Sequence, residues 1–203
     1  MKLFFRITFI ICLIFAISIG CATIEEIKET DPIALVNQGI GLLQEGQYDR
    51  AIADFSEAIE INPRYASAYY NRGLAYYRKG DYDNAISDCS NAIRVNSKYA
   101  WAYDNRGLAY YRKGDYDNAI SDCSKAIRIN PQLANAYNNR GNAYDGKGQY
   151  DKAISDYSNA IGINQRYASA YYNRGRVYFS KGQYDRAISD YNNAIEINPK
   201  YAW

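Results

Sequence analysis

The chain has 203 residues, with 24 basic and 22 acidic side chains and no histidine. This near balance of charge argues against nucleic acid as a general ligand, because nucleic-acid-binding proteins present an excess of lysine and arginine. The absence of histidine removes the commonest general base and metal ligand, and the sequence contains neither a glycine-rich phosphate loop nor a nucleophile elbow. We therefore expect a protein that is not an enzyme, with no catalytic residue, no metal site and no cofactor.

The N-terminus carries a targeting pattern. Lys2 and Arg6 precede an apolar run over residues 7–19, and Gly20 and Cys21 follow it. A positively charged start, an apolar run and a small residue before a cleavage point describe a secretory signal. An uncleaved membrane anchor is the alternative, although the apolar run is short for a helix that spans a bilayer.

Residues 18–21, Ser-Ile-Gly-Cys, resemble the lipobox of bacterial lipoproteins. The resemblance implies a signal peptide over residues 1–20, lipidation of Cys21 and a tether over residues 21–31. It also implies a lipid-anchored protein of the cell envelope. Because Ala22 rather than an acidic residue follows the cysteine, we expect the outer membrane, facing the periplasm, where the cell has one.

From residue 32 onward the same pattern returns every 34 residues, as the spacing of one set of glycines illustrates: Gly39, Gly73, Gly107, Gly141 and Gly175. A period of this length indicates one supersecondary unit stacked on copies of itself, because a single unit cannot bury its apolar face. The five copies cover residues 32–65, 66–99, 100–133, 134–167 and 168–201, and residues 202–203 begin a truncated sixth.

Each copy predicts two helices. In the second copy, apolar residues at near-helical spacing predict a helix over residues 66–79, which Gly80 ends because glycine tolerates left-handed dihedral angles. Asp83 is expected to cap the next helix and Asn96 to end it. Since no two-residue apolar alternation occurs, the predicted fold class is all-α.

The second copy also carries a recognisable motif. Tyr69-x2-Arg72-Gly73-x2-Tyr76, followed by Ala85-x3-Cys89, resembles the W-x2-L-G-x2-Y and A-x3-F pattern of the tetratricopeptide repeat. The resemblance implies a right-handed superhelical solenoid of five helix-turn-helix repeats. In that family the first helices line a concave groove that takes an extended peptide or a partner helix, so the chain is expected to be a non-enzymatic protein–protein interaction scaffold.

Carrying the groove over by position identifies a ladder of asparagines with aromatic and basic neighbours: Asn37, Asn71, Asn105, Asn139, Asn173, Tyr70, Trp101, Tyr172 and Arg176. We expect the ladder to face solvent in the free protein and to offer donors and acceptors to a peptide backbone. Tyrosine, tryptophan and arginine are enriched at binding hot spots. The carboxylate clamp of chaperone-type members is not expected, because the positions that need lysine hold Val36, Tyr70, Asp104, Asn138 and Tyr172.

Charged residues also recur once in each repeat. An aspartate occurs in all five copies, whereas its arginine partner is missing from the first copy, which has Gln38. Pairing within a copy would leave Asp54 opposite Gln38, so the pattern favours bridges from each aspartate to the arginine of the following copy: Asp54–Arg72, Asp88–Arg106, Asp122–Arg140 and Asp156–Arg174. Independent solvent-facing charges are the alternative.

Cys89 and Cys123 occupy a slot that holds Phe55, Tyr157 or Tyr191 in the other copies. We expect free, buried thiols that pack as small hydrophobic side chains. A disulfide between them is the alternative, but equivalent positions in stacked repeats should lie about 10 Å apart. That spacing exceeds the roughly 7 Å limit for bridged Cα atoms.

The last helix lacks a following repeat. We expect it to expose Ala187, Ile188, Tyr191, Ala194 and Ile195, which predicts self-association through residues 184–203 or a longer native protein. Two functions compete with a scaffold: a self-assembling structural repeat protein, and a truncated repeat arm of a larger protein such as a protein glycosyltransferase. Similar lipoproteins assist outer-membrane barrel assembly, pilus or secretin assembly, or peptidoglycan-enzyme recruitment.

Overall fold

The computed structural model describes residues 31–201. All regular structure in this range is helical, in ten α-helices and a closing 3-10 turn, which confirms the all-α prediction. The helices are α1 Pro32–Gln44, α2 Tyr48–Ile61, α3 Ala66–Lys79, α4 Tyr82–Val95, α5 Ala100–Arg112, α6 Tyr116–Ile129, α7 Ala134–Gly146, α8 Tyr150–Ile163, α9 Ala168–Ser180 and α10 Tyr184–Ile197, and the turn is Pro199–Tyr201. The predicted signal peptide, Cys21, the tether up to residue 30 and residues 202–203 lie outside the described residues.

The helices form two layers. The odd-numbered helices are called A helices and the even-numbered ones B helices, so each repeat holds one of each. Every A helix packs against the B helix of its own repeat, and every B helix packs against the A helix of the next. Neighbouring A helices also touch, whereas neighbouring B helices within residues 31–201 make no comparable contact. The A layer therefore lies on the inner side of the stack.

Helix ends follow from local chemistry. The helix α3 ends at Gly80, whose φ of 87° is left-handed, as predicted. The cap of α4 is Asp81, which accepts a hydrogen bond from the backbone N–H of Asn84 at 3.2 Å. The expectation that Asp83 caps α4 is wrong, because the tight glycine turn lets the helix resume at Tyr82. Asn96 ends α4, as predicted.

Small residues bring the paired helices close together. A Cβ atom added to Gly73 would lie 3.2 Å from the Cys89 Sγ and 3.3 Å from the carbonyl oxygen of Ala85. Cys89 and Cys123 are buried and free, which confirms that expectation. Burial raises the pKa of Cys89 to about 12, so this thiol stays protonated at neutral pH.

The last helix is more covered than its sequence position predicts. Ala187 and Ala194 are buried, so their expected exposure is wrong, and Ala187 lies beside Gly175 of α9 in its own repeat. Tyr191 and Ile195 are half-buried. Of the five residues expected to be exposed, Ile188 alone is open to solvent, at 57%.

None of the helices within residues 31–201 combines the length and the apolar character needed to cross a membrane.

Candidate functional site

Four repeats carry the same polar contact between their two helices. In the fourth, Arg140 on α7 donates from Nε and Nη2 to the two carboxylate oxygens of Asp156 on α8, at 2.7 and 2.8 Å. Its Nη1 donates to the Ser124 hydroxyl of the preceding repeat at 3.0 Å. The equivalent pairs are Arg72–Asp88, Arg106–Asp122 and Arg174–Asp190, with Ser56, Ser90 and Ser158 as the third partners. We call this set of contacts the arginine lattice.

The arginine lattice corrects the predicted pairing. The bridges Asp54–Arg72, Asp88–Arg106, Asp122–Arg140 and Asp156–Arg174 are wrong, because each arginine binds the aspartate sixteen residues after it, in its own repeat. The two helices of a repeat place these side chains next to each other, while the preceding repeat presents a serine. Neighbouring repeats are therefore bridged by arginine and serine.

The first repeat has no arginine for this contact. Gln38 is exposed, and the Oδ2 atom of Asp54 is buried without a hydrogen-bond partner in the described residues. The first repeat therefore simply lacks the arginine–aspartate contact. The glutamine at position 38 is not evidence that aspartates pair with arginines of the following repeat.

Exposed lysine–aspartate pairs also join neighbouring repeats: Lys79–Asp49, Lys113–Asp83, Lys147–Asp117 and Lys181–Asp151. Each runs from the end of an A helix to the first turn of the preceding B helix. Such exposed pairs contribute little to stability, because water screens their attraction.

A cleft of about 290 Å³ opens on the A layer across α3, α5, α7 and the residue before α9. We call it the central cleft, and its lining is Tyr70, Leu74, Tyr77, Arg78, Trp101, Asp104, Asn105, Leu108, Asn135, Asn139 and Tyr167. Four predicted groove residues lie here: Tyr70, Trp101, Asn105 and Asn139. The other five do not line it: Asn37, Asn71, Asn173, Tyr172 and Arg176.

The asparagine ladder mostly bonds within the protein. Asn139 Nδ2 donates to Asp104 Oδ1 at 2.9 Å, across neighbouring A helices. Asn173 Nδ2 donates to Asn138 Oδ1 in the same way at 3.1 Å. Asn71 meets no such acceptor, because Val36 stands at the corresponding position, and it donates to the carbonyl oxygen of its own helix at Ser67.

The expectation that the ladder faces solvent is therefore wrong for Asn71 and Asn139, which are both buried. The stacking of the A helices places the ladder residues of the second to fifth repeats against the preceding repeat. There the amide is hydrogen-bonded within the protein or shielded from water. Asn37 at the open end is exposed.

The remaining predicted groove residues also have partners within the protein. The ring of Tyr172 lies 5.7 Å from that of Tyr191 and 5.1 Å from that of Tyr201, measured between centroids. Arg176 forms an ion pair with Asp145. Outside the central cleft, Tyr172 thus packs within its own repeat, whereas Asn173 and Arg176 on α9 contact the preceding repeat.

Asn105 is the exception in the ladder. Its side chain lies close enough to the Tyr70 hydroxyl to lower the pKa of that group, against the larger opposite effect of burial. Its Nδ2 atom is nevertheless buried and makes no hydrogen bond of normal geometry in the described residues. A buried donor without a partner is unfavourable unless a ligand or water completes it. The central cleft therefore contains a donor that is available to a bound molecule.

Asp104 is the charged group at the bottom of the central cleft. Its side chain is almost completely buried, with 2% of the residue exposed. Burial raises the pKa of Asp104 to about 7, and the hydrogen bond from Asn139 opposes the shift. The pKa of Tyr167 rises to about 12, first because of burial and then because of the negative charge of Asp104.

Asp104 is not among the predicted groove residues, and neither are Leu74, Leu108, Asn135 and Tyr167, although all five line the cleft. One signal was available: the position before each ladder asparagine changes from repeat to repeat, whereas its neighbours repeat closely. A position that varies inside a regular array is a candidate for specificity.

Two larger depressions, of about 490 and 340 Å³, lie at the turns that lead into α10 and α8. Their lining consists mostly of exposed turn residues and includes no buried polar group, so they offer less to a specific ligand than the central cleft does.

Family models match most of the repeat region. A model described as TPR repeat matches residues 42–80 and 107–148, and one described as tetratricopeptide repeat matches residues 66–99, 134–167 and 168–201. No curated protein sequence matches the chain.

Several solved structures are similar. The crystal structure of MamA is 29% identical with a TM-score of 0.68, covering 81% of this chain and 96% of that one. YrrB, described as a TPR protein with an unusual peptide-binding site, is 26% identical with a TM-score of 0.63, covering 88% and 92%. TTC0263, a thermophilic TPR protein of Thermus thermophilus, is 24% identical with a TM-score of 0.74, covering 84% and 97%, and shows the fold alone.

The matched models describe repeats and indicate no catalytic family. Because such repeats are generally interaction modules, the matches support a protein–protein interaction scaffold. The 34-residue period, the paired helices of residues 32–197 and these matches lead to one conclusion: the chain belongs to the tetratricopeptide repeat family.

Proposed function

We propose that this protein is a lipid-anchored component of a bacterial cell envelope that binds another protein. An extended peptide or a helix of the partner lies along the A layer, and the central cleft is the main contact. The observation that carries this proposal is the lining of the cleft, which combines aromatic side chains with a buried donor, Asn105 Nδ2, that has no hydrogen-bond partner in the described residues.

The lining has the composition of a binding hot spot. Trp101 projects from an A helix with 42% of its surface exposed, and Tyr70 and Tyr167 lie in the same cleft. Tryptophan and tyrosine are the residues that most often dominate protein interfaces. The volume of about 290 Å³ lies at the lower end for small-molecule pockets, so it suits single side chains of a peptide better than a cofactor.

The comparison with YrrB supports a peptide as the ligand, because that protein is described as having an unusual peptide-binding site. The sequence of residues 18–21 supports the lipid anchor, by its resemblance to a lipobox.

The binding proposal is tested by affinity purification of the full-length protein from detergent-solubilised envelope membranes. Trp101→Ala should lose the partner that the wild-type protein retains. Tyr150→Ala is the matched control, because Tyr150 is an aromatic residue of similar exposure, 37%, on a B helix. Equal recovery of the partner with both variants would contradict binding at the central cleft.

The anchor is tested by Cys21→Ala. We expect this variant to be released from membranes or to accumulate as an uncleaved precursor. Labelled fatty acid incorporated into the Cys21→Ala protein at the wild-type level would contradict lipidation at this residue.

Self-association through residues 184–203 is the second candidate. Ile188 on α10 is 57% exposed, whereas the matching isoleucines of the earlier repeats are half-buried: Ile52, Ile86, Ile120 and Ile154. A second copy of the chain would cover it. Light scattering of the full-length protein in detergent should then show a mass that rises with concentration and falls with Ile188→Glu, and a monomer at high concentration would contradict self-association.

A further inference from the structure

Five aspartates are buried within residues 31–201: Asp88, Asp104, Asp122, Asp156 and Asp190. Four of them bind an arginine of the arginine lattice through both carboxylate oxygens. Asp104 has no cationic partner in the described residues, and its hydrogen bond comes from the neutral amide of Asn139. An ionised carboxylate is costly to bury unless it is paired with a cation. Asp104 therefore differs from the other four aspartates in lacking a counter-ion within the described residues.

The hydrogen bond to Asn139 does not require a charge at this position. In the next repeat, Asn138 occupies the position that corresponds to Asp104, and its Oδ1 accepts the hydrogen bond from Asn173. An asparagine therefore accepts the ladder hydrogen bond equally well. The ladder hydrogen bond therefore does not require the negative charge of Asp104, and Asp104 is part of the lining of the cleft.

The surroundings of Asp104 suit a cation. Tyr70, Trp101 and Tyr167 line the same cleft, and the faces of aromatic rings attract positive charge. The ring of Tyr77 already has a cation over it, Arg112. The aliphatic part of a long basic side chain would pack against Leu74 and Leu108, which are also in the lining.

We propose that the central cleft is a subsite for a lysine or arginine side chain of a bound peptide, with Asp104 as its counter-ion. The Asn105 Nδ2 then donates to a carbonyl oxygen of the peptide backbone. A peptide residue supplies both groups at once, a side-chain cation and a neighbouring carbonyl, whereas a free amine supplies the cation alone. This inference deepens the proposed function and rests on it.

Arg78 is the other charged residue of the cleft. It is exposed near the C-terminal end of α3 and makes no ion pair with Asp104 in the described residues. Burial raises the pKa values of Tyr70 and Tyr167 in the cleft and of the Cys89 and Cys123 thiols, which interact with the charge of Asp104 from α4 and α6, so these groups stay neutral near pH 7. The part of α7 in the lining contributes only Asn135 and Asn139. Asp104 is therefore the cleft group that changes charge between pH 6 and 8.

The first experiment incubates the full-length protein, in a non-ionic detergent, with an array of random nonapeptides. The wild-type protein should select peptides with lysine or arginine at one position, Asp104→Asn should lose this preference, and Arg78→Gln should keep it. Selection of peptides without a basic preference would overturn the subsite and leave the proposed function intact. No binding of any peptide would count against both. Loss of the preference in Arg78→Gln would contradict the assignment to Asp104, since Arg78 carries the same sign of charge as the basic peptide residue.

The second experiment uses the best peptide of that array and its variant with norleucine in place of the basic residue. For the wild-type protein the replacement should weaken binding by about tenfold or more, which is at least about 1.4 kcal/mol. For Asp104→Asn it should change binding by less than about twofold. An equal loss in both proteins would overturn the assignment of Asp104 as the counter-ion.

The affinity for the basic peptide should depend on pH in a defined direction. A cation binds the ionised carboxylate, so the affinity of the wild-type protein for the basic peptide should fall as the pH drops from 8 to 6, and that of Asp104→Asn should not. A flat profile for the wild-type protein would contradict the proposal. Spermidine serves as the comparison ligand, and binding of spermidine as tight as that of the peptide would overturn a peptide subsite in favour of a free-amine site.

Discussion

The arginine lattice and the central cleft each contain buried aspartates, but the partners of those aspartates differ. In the lattice, Asp122 is buried and binds Arg106 through two hydrogen bonds of 2.7 and 2.8 Å. In the cleft, Asp104 is also buried and meets only the neutral amide of Asn139. The lattice contact recurs in four repeats with nearly identical geometry, whereas an aspartate at the position of Asp104 occurs in one repeat. The repeated chemistry stabilises the stack, and the chemistry that departs from the repeat is available for recognition.

The difference has a geometric origin. A lattice contact lies between two helices of one repeat, so every repeat with the same residues reproduces it. The central cleft is built from the A helices of three successive repeats and the residue before a fourth. Its properties depend on which side chains those repeats place side by side, and a change in one repeat affects this cleft alone.

The largest effect is expected from breaking the lattice. Arg140→Gln gives the fourth repeat the residue that the first has at Gln38 and leaves Asp156, 3% exposed, without a cation. We expect a loss of about 3–5 kcal/mol in the free energy of unfolding, because removing one partner leaves a buried charge uncompensated. Urea unfolding followed by circular dichroism measures it.

Asp54→Asn is the matched control for Arg140→Gln, since Asp54 has no arginine of the lattice to lose. We expect it to change stability by less than about 1 kcal/mol. A similarly small effect for Arg140→Gln would show that the lattice does not stabilise the stack.

The second prediction concerns Asp104 in the central cleft, where removing the charge should raise the stability of the protein and not lower it. The pKa of Asp104 is raised from 3.8 to about 7 in the folded protein, so its stabilising contribution is present below about pH 4 and lost as the pH rises through 7. Asp104→Asn should therefore stabilise the protein at pH 8. At roughly 1.4 kcal/mol for each pKa unit, the gain is at most about 4 kcal/mol, and it should vanish near pH 4.

Asp122→Asn is the same substitution inside the lattice, and at pH 8 it should lower stability by about 1.5–3 kcal/mol because it weakens charged hydrogen bonds to Arg106. Thermal unfolding of both variants at pH 4 and pH 8 compares the two regions directly. Loss of stability in both variants at pH 8 would remove the distinction between the lattice and the cleft.

A smaller effect is expected from the close approach of helices within a repeat. A Cβ atom at Gly141 would lie 2.7 Å from the ring of Tyr157, which is completely buried and has no room to move. Gly141→Ala should lower stability by about 1–3 kcal/mol through overpacking. Gly162→Ala, on α8 with no atom within 4 Å of the added Cβ, should instead raise stability by up to about 1 kcal/mol.

The smallest effect concerns the contact between repeats. Ser124→Ala removes the hydroxyl that accepts from Arg140 across the repeat boundary and should lower stability by about 1 kcal/mol. Ser121→Ala on the same helix is the control, because Ser121 is exposed, and it should stay within about 0.5 kcal/mol. Equal midpoints of urea unfolding for the two variants would show that the serine contact does not couple the repeats.

Much of the fold was predictable because its causes are local. The 34-residue period, the left-handed Gly80, the helix end at Asn96 and the burial of Cys89 all follow from residues close in the chain. The partner of each lattice arginine was not predictable, since two arrangements satisfied the same spacing, and the Gln38 substitution favoured the wrong one. The burial of Asn71 and Asn139 in the ladder was also not predicted, because it depends on contacts between repeats.

The sequence by itself determined that the chain folds into paired helices that repeat, because glycine, alanine and apolar spacing act within one or two turns. Only the tertiary structure decided which charges are neutralised. Asp88, Asp122, Asp156 and Asp190 meet an arginine across their own repeat, while Asp104 meets an amide 35 residues further along the chain. The charge state of a buried carboxylate depends on what lies within a few ångströms of it, and here those neighbours come from the other helix of the same repeat or from the next repeat.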